Sequence, residues 1–247
     1  MEKRLKSDLF CENFGAARPV RGPAEERRTV CGFDVADGTD GSGARYCSVF
    51  VGDPDPALLR DFSDAVLRCA GEFVGRTCAG EPRRILVAGL GNGNVPSDSF
   101  GAALCGRIDT GERGGVLVCA VATGVPAQTG IGTADHVAAL ARRIGAELVV
   151  AADSLAAISP ERLCRVLQIT DAGVAPGSGV SSHADRVSPE TAGCPVISLG
   201  IPTAARGRLC RGGREAEGLF TTVGAGAEIA FFAEAAGRAL NSLFRGE

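Results

Sequence analysis

Two carboxylates stand at the ends of two apolar runs. Ile85-Leu-Val-Ala-Gly-Leu-Gly-Asn-Gly-Asn-Val-Pro-Ser-Asp98 reads as a strand, a turn of Gly and Asn, and an acid. Glu147-Leu-Val-Val-Ala-Ala-Asp153 reads as a strand that ends on an acid. In an open parallel sheet, chemistry gathers beyond the carboxyl ends of the strands, so Asp98 and Asp153 are candidates to share one cleft. Two carboxylates close together in a low-dielectric site cannot both ionise comfortably; one pKa rises and the pair shares a proton. The ionised member can then take a proton from water, while the protonated member supplies one. That is acid–base hydrolysis, and which acid plays which part stays open because the pair titrates as a unit.

Around these acids lie groups that can orient a substrate. Asn92 and Asn94 sit in the turn before Asp98, and the backbone amides of that turn are candidates to steady an oxyanion. Gly177, Ser178 and Gly179 form a second such loop after Asp171, a third acid that closes the run Gln168-Ile-Thr-Asp171. Each acid also has a plainer reading, as a cap on the turn or helix that follows. The series Gly89-Leu-Gly91-Asn-Gly93-Asn94 is not a dinucleotide fingerprint, because its third glycine would fall at Asn94.

Composition narrows the remaining chemistry. The 10 cysteines are scattered singly from Cys11 to Cys210, and none shares a C-x-x-C or C-x-x-H spacing, which argues against a zinc site. The 2 histidines, His136 and His183, offer little to a triad or a metal centre. No metal and no cofactor are expected. A net charge of −3 gives no support to nucleic-acid binding. No apolar run approaches the length of a membrane span, and Met1-Glu-Lys-Arg lacks the apolar stretch of a signal peptide. A cytoplasmic protein is expected.

The elements that must position the acids follow from periodicity. Arg28 to Asp53 reads as two strands joined by Gly38-Thr-Asp-Gly-Ser-Gly43. Pro56 opens a helix in which Leu59, Phe62, Val66, Cys69 and Phe73 recur at helical spacing. Strand 84–90, a short helix near 99–106, strand 115–121, loop 123–130, and helix 133–145 with Thr133 as N-cap come next. Strands 147–152, 166–170 and 195–201 and a closing helix over 227–244 complete the chain. Alternating strands and helices predict an α/β fold, a single three-layer domain with a mainly parallel sheet and helices on both faces. Residues 1–27 form an N-terminal arm and 28–247 the domain, with 204–220 a short connection.

Five segments in one order carry a resemblance. They are Leu90-Gly-Asn-x-Asn-Val-x-x-Asp98-x-x-Gly101, Thr129-Gly-Ile-x-Thr133, Asp153-x-Leu-Ala-Ala157, Gln168-Ile-x-Asp-x-Gly-x-x-Pro-Gly-Ser-Gly-Val180 and Thr191-x-Gly-x-Pro-Val-Ile-x-x-Gly-Ile-Pro-Thr203. Together they resemble the germination protease family, the spore endopeptidases, closely over about Arg83 to Thr203 and more weakly over Arg45–Phe73 and the last helix. The resemblance implies the fold shared with hydrogenase-maturation endopeptidases. It implies a substrate in the small acid-soluble spore proteins, a location in the forespore or spore core, and a tetramer. The family's two essential aspartates match Asp98 and Asp153. The chain departs from the family at Gly132, where the family has Glu, at Ile158, where it has Arg, and at Ser181-Ser182, where it has Gly-Asn. These departures bear on substrate affinity and cleavage-site choice. The alternatives are a catalytically degenerate relative that binds protein, and a metal-recognising endopeptidase of the hydrogenase-maturation type. The family is made as a zymogen, and Lys6-Ser-Asp-Leu-Phe-Cys-Glu12 resembles the start of its mature chain. Met1 to Lys6 is too short and charged an arm to offset its own ordering cost, so a frayed end and activity as translated are expected.

Overall fold

The computed structural model describes residues 8–9, 26–176, 186–211 and 214–246. Its strands are β1 (Glu26–Val30), β2 (Phe33–Thr39), β3 (Arg45–Phe50), β4 (Arg84–Leu90), β5 (Gly111–Arg113), β6 (Val116–Gly124), β7 (Leu148–Ala157), β8 (Val166–Thr170), β9 (Val196–Arg211) and β10 (Arg214–Phe220). They form one sheet in the order β1-β2-β3-β8-β9-β7-β4-β6-β5, with β10 folded back on the last part of β9. The helices are α1 (Leu59–Thr77), α2 (Phe100–Cys105), α3 (Pro126–Thr129), α4 (Thr133–Ile144), α5 (Pro189–Ala192) and α6 (Ala225–Arg245).

The α/β architecture with helices on both faces is as expected, but the sheet is mixed. Only β6, β4, β7 and β9 run parallel to one another. Both flanks are antiparallel. For β1–β2 and β5–β6 the reason is the length of the connections: strands joined by a two-residue turn must be antiparallel, whereas parallel neighbours need a crossover. The single strand expected from Arg28 is such a hairpin. It turns at Cys31 and Gly32, with φ 49° and 85°, the pair of positive angles that a tight hairpin turn needs.

β4 and β7, at the middle of the parallel centre, are buried on both sides. Ile85 and Val87 of β4 enter one apolar core, while Leu86, Ala88 and Leu90 enter the other. Such two-sided burial explains why β4 and β7 read as unbroken apolar runs. On the first face α1 and α6 meet through Phe62, whose ring lies 5.6 Å from those of Phe231 and Phe232 and 5.2 Å from Phe33. Aromatic pairs of this kind add about 0.5–1.5 kcal/mol each beyond area burial. On the other face α4 lays Val137 and Ala141 against Leu86, Ala88, Val149 and Ala151.

Three further details differ from the sequence reading. Thr133 is buried inside the first turn of α4, and Gly132 is the N-cap, without a side-chain cap. Strand 195–201 continues to Arg211, so the connection 204–220 is largely the β9–β10 hairpin. The closing helix spans Ala225–Arg245, slightly longer than 227–244 at both ends.

Candidate active site

Asp98 lies in the turn beyond β4, and Asp153 lies within β7, which does not end on the acid as expected but runs on to Ala157 because it stays paired with β9. Past Leu90 the chain turns at Gly91, where φ is 90° and a Cβ would stand 2.5 Å from both the carbonyl oxygen and Oδ1 of Asp98. Only glycine satisfies both conditions. The loop therefore folds back on the acid: the Asn92 N–H donates to Asp98 Oδ2 at 2.7 Å. Asn92 Oδ1 in turn accepts from the Asn94 N–H at 3.0 Å and from Gln128 Nε2 at 2.9 Å, which ties the loop to α3. Asp98 closes a short 3-10 turn, Pro96–Asp98. Thr203 of β9, itself buried, fixes that turn by donating to the Ser97 carbonyl at 2.6 Å.

Asp153 comes from β7, level with Gly200 of β9, and is only 3% exposed. Its Oδ1 accepts the N–H of Ser154 at 2.9 Å. Burial pushes the Asp153 carboxyl well above the ordinary carboxylate range, and the charge of Asp98 pushes it further, with Asp8 adding to the same effect. Burial also raises Asp98, opposed by the N–H it accepts from Asn92. Asp153, the more deeply buried of the two, is thus the acid pushed more strongly toward its protonated form. That inequality is the condition for one acid and one base at the same pH.

The other expected residues fall differently. Asn92 and Asn94 spend their backbone amides on Asp98 and on the loop, so they position the acid. Asp171 is not brought to the pair. Thr170 is level with Ser198, and Ser198 with Ala151, which places Asp171 back along the sheet from Asp153. The premise that it ends a strand is correct, but β8 runs antiparallel to β9, so that strand ends away from the cleft. Asp171 Oδ1 instead accepts the N–H of Arg45 at 2.7 Å. Gly177, Ser178 and Gly179 lie outside the described residues, as do His183 and the expected frayed end Met1–Lys6. Among the described residues, no group of three or more His, Cys, Asp or Glu is arranged to hold a metal ion.

Ahead of β1, which takes in Glu26 and Arg27, two residues of the N-terminal arm are described, and they are docked. The Asp8 N–H donates to the Ala156 carbonyl at 2.9 Å, the Ala156 N–H donates to Asp8 Oδ2 at 2.9 Å, and Gln168 Nε2 donates to the Asp8 carbonyl at 3.3 Å. Leu9 is fully buried with Leu155, Ala157 and Val166. Beside Asp8 lies a cavity of about 250 Å³ whose wall includes Gln168, Thr170 and Ser198. Sequence reading passed over Asp8, Gln128, Gln168 and Thr203. The last two lie inside recognisable segments, but no spacing rule marks them as functional.

The model of a family described as germination protease matches residues 64–208. The chain is 39% identical over 163 residues to a germination protease of Clostridium perfringens (strain ATCC 13124), covering 60% of this chain and 48% of that protein. To the germination protease of C. perfringens strain SM101 it is 35% identical over 176 residues, covering 64% of this chain and 52% of that protein. The chain thus spans about half the length of the curated relatives it matches. Among solved structures, a nickel–iron hydrogenase maturation protease from Thermococcus kodakarensis aligns with a TM-score of 0.43 at 20% identity, covering 70% of this chain and 98% of that one.

Proposed function

The chain belongs to the germination protease family, and from that membership we propose that it is an endopeptidase in which Asp98 and Asp153 form the acid pair. The observation that carries the reading is the meeting of Asp98 with a buried Asp153 whose carboxyl favours its proton. Asp98, the more exposed of the two acids and the acceptor of the Asn92 N–H, takes a proton from water as the water oxygen attacks the peptide carbonyl. Asp153 donates a hydrogen bond to the carbonyl oxygen as negative charge grows there. When the C–N bond breaks, the amine leaves with the proton that Asp98 took up. The loop around Asn92 and the close approach at Gly91 hold Asp98 in place, so little reorganisation is required at the moment of reaction.

The proposed substrates are the small acid-soluble spore proteins, and the proposed setting is the forespore or spore core. Membership in the family supports both. The test is incubation of the purified chain with one such spore protein, followed by intact-mass analysis. Discrete fragments whose masses sum to the substrate plus one water per cut are expected; an unchanged substrate after prolonged incubation contradicts the proposal.

A further inference from the structure

A row of polar side chains crosses a sheet that is otherwise apolar. Ser48 of β3, Gln168 of β8, Gly200 of β9 and Asp153 of β7 are level with one another in adjacent strands. One step along the strands, Tyr46, Thr170, Ser198 and Ala151 form a second row. Leu167, Ile169, Ile197 and Leu199 face the first apolar core, so by strand alternation Gln168, Thr170 and Ser198 face the opposite side. The apolar core beneath α4 and α5 is built mainly on β4 and β7. Over β8 and β9 the sheet face is a buried polar trough, beside a cavity lined by Gln168, Thr170, Ser198 and Gly200.

This trough carries a cost that an apolar sheet face would avoid. Ser48, Gln168, Thr170 and Ser198 are each 5% exposed or less. The hydroxyl oxygens of Ser48 and Ser198 have no hydrogen-bond partner among the described residues. Buried polar groups without partners are uncommon in native proteins, and they point to a ligand or a functional demand. Ser198 lines the cavity of about 250 Å³. The chain also shows what fits beside it: Asp8 lies there with its amide on the Ala156 carbonyl and its own carbonyl on Gln168 Nε2. On the other side β4 pairs with β7 only as far as Ala152.

Resting on the peptidase reading above, we propose that the trough holds the substrate's extended main chain. Gln168 donates to one backbone carbonyl, and Ala156 accepts the amide of the same residue. Gln168 is then a binding residue two strands away from the acid pair, with the Leu155 side chain packed over Gly200 between them. Specificity for an extended backbone over a folded one follows, because both partners of a single residue's amide and carbonyl must be free.

The test uses the full chain carrying Leu9→Asp, which puts a charge into the apolar pocket that seats Leu9 and thereby opens the trough. A fluorescein-labelled peptide of residues 6–12 is titrated by anisotropy into this protein and into versions that add Gln168→Ala or Gln168→Met. Gln168→Met keeps the length of the side chain and removes its donor, so it stays informative if Gln168→Ala fails to fold. Each addition should weaken binding about five- to tenfold, the size of one hydrogen bond. In cleavage of a spore protein the same additions should raise KM by a similar factor and leave kcat within about threefold. No binding by the Leu9→Asp protein, equal binding by all three, or a fall in kcat at unchanged KM overturns the trough. Binding is read without turnover, so an absence of cleavage alongside Gln168-dependent binding contradicts the peptidase reading and leaves the trough standing.

Discussion

Gly89 and Gly101 meet backbone to backbone: a Cβ on Gly89 would lie 2.1 Å from the Gly101 carbonyl oxygen. A Cβ on Gly101 would lie 2.4 Å from the Leu90 backbone and 2.5 Å from the Ala152 carbonyl. The start of α2 is therefore wedged against the ends of β4 and β7, the two strands that deliver the acids. Gly101→Ala should push α2 away, costing about 1–3 kcal/mol and most of the cleavage activity. Gly106→Ala, whose nearest contact would be an ordinary 3.5 Å, should stay within about 0.5 kcal/mol of the parent. Denaturant melts of the two proteins, together with their cleavage rates, check this; equal stability would show that the contact does not position α2.

The unequal acids make a prediction about pH. A carboxyl whose folded value is raised holds its proton after the unfolded chain has lost its own. Its favourable contribution is therefore complete below the ordinary value of 3.8 and is lost as pH rises through the folded value. Asp153→Asn removes that loss. The variant should melt several degrees above the parent at neutral pH, with the difference shrinking toward zero as pH falls to the ordinary carboxylate range. An advantage that is the same at all pH values would show that the Asp153 carboxyl titrates alike in the folded and unfolded chain.

Asp171 is assigned to structure. Asp171→Ala removes the acceptor of the Arg45 N–H and should cost about 0.5–1.5 kcal/mol of stability, with kcat unchanged below the melting range. A large loss of kcat in a folded Asp171→Ala protein would return this acid to the reaction.

Thr203 acts at a distance through the turn that ends in Asp98. Thr203→Val preserves shape and removes the hydrogen bond to the Ser97 carbonyl. It should cost about 1 kcal/mol and lower kcat more than it changes KM, since it loosens the acid rather than the substrate. Steady-state kinetics separate the two effects.

Much of this site is legible in the chain. The strands that deliver Asp98 and Asp153 are continuous apolar runs because both faces of β4 and β7 are buried, and the acids stand out where the apolar pattern stops. Gly91 is equally readable as a turn, although its second duty, making room for Asp98, needs coordinates. What escaped is non-local. The Cys31-Gly32 turn lacks the Asn or Asp that advertises a tight hairpin, so β1 and β2 merge on inspection. The direction of β8, which carries Asp171 away from the pair, is decided by its antiparallel pairing with β3 and β9. Gln168 gains meaning only from its register with Gly200 and Asp153. The arm also hides its docking, because the partners of Asp8 and Leu9 lie more than a hundred residues further along the chain.

Whether Asp98 and Asp153 act as one acid–base unit is decided by single and double substitutions. Asp98→Asn, Asp153→Asn and the double variant are each incubated with a small acid-soluble spore protein, and initial rates are read by mass spectrometry. Each single variant should remain folded and lose cleavage by at least about a thousandfold, and the double variant should be no worse than either single one, because groups that work as a unit are strongly non-additive. Substantial cleavage by either single variant, or losses that multiply in the double, would contradict it.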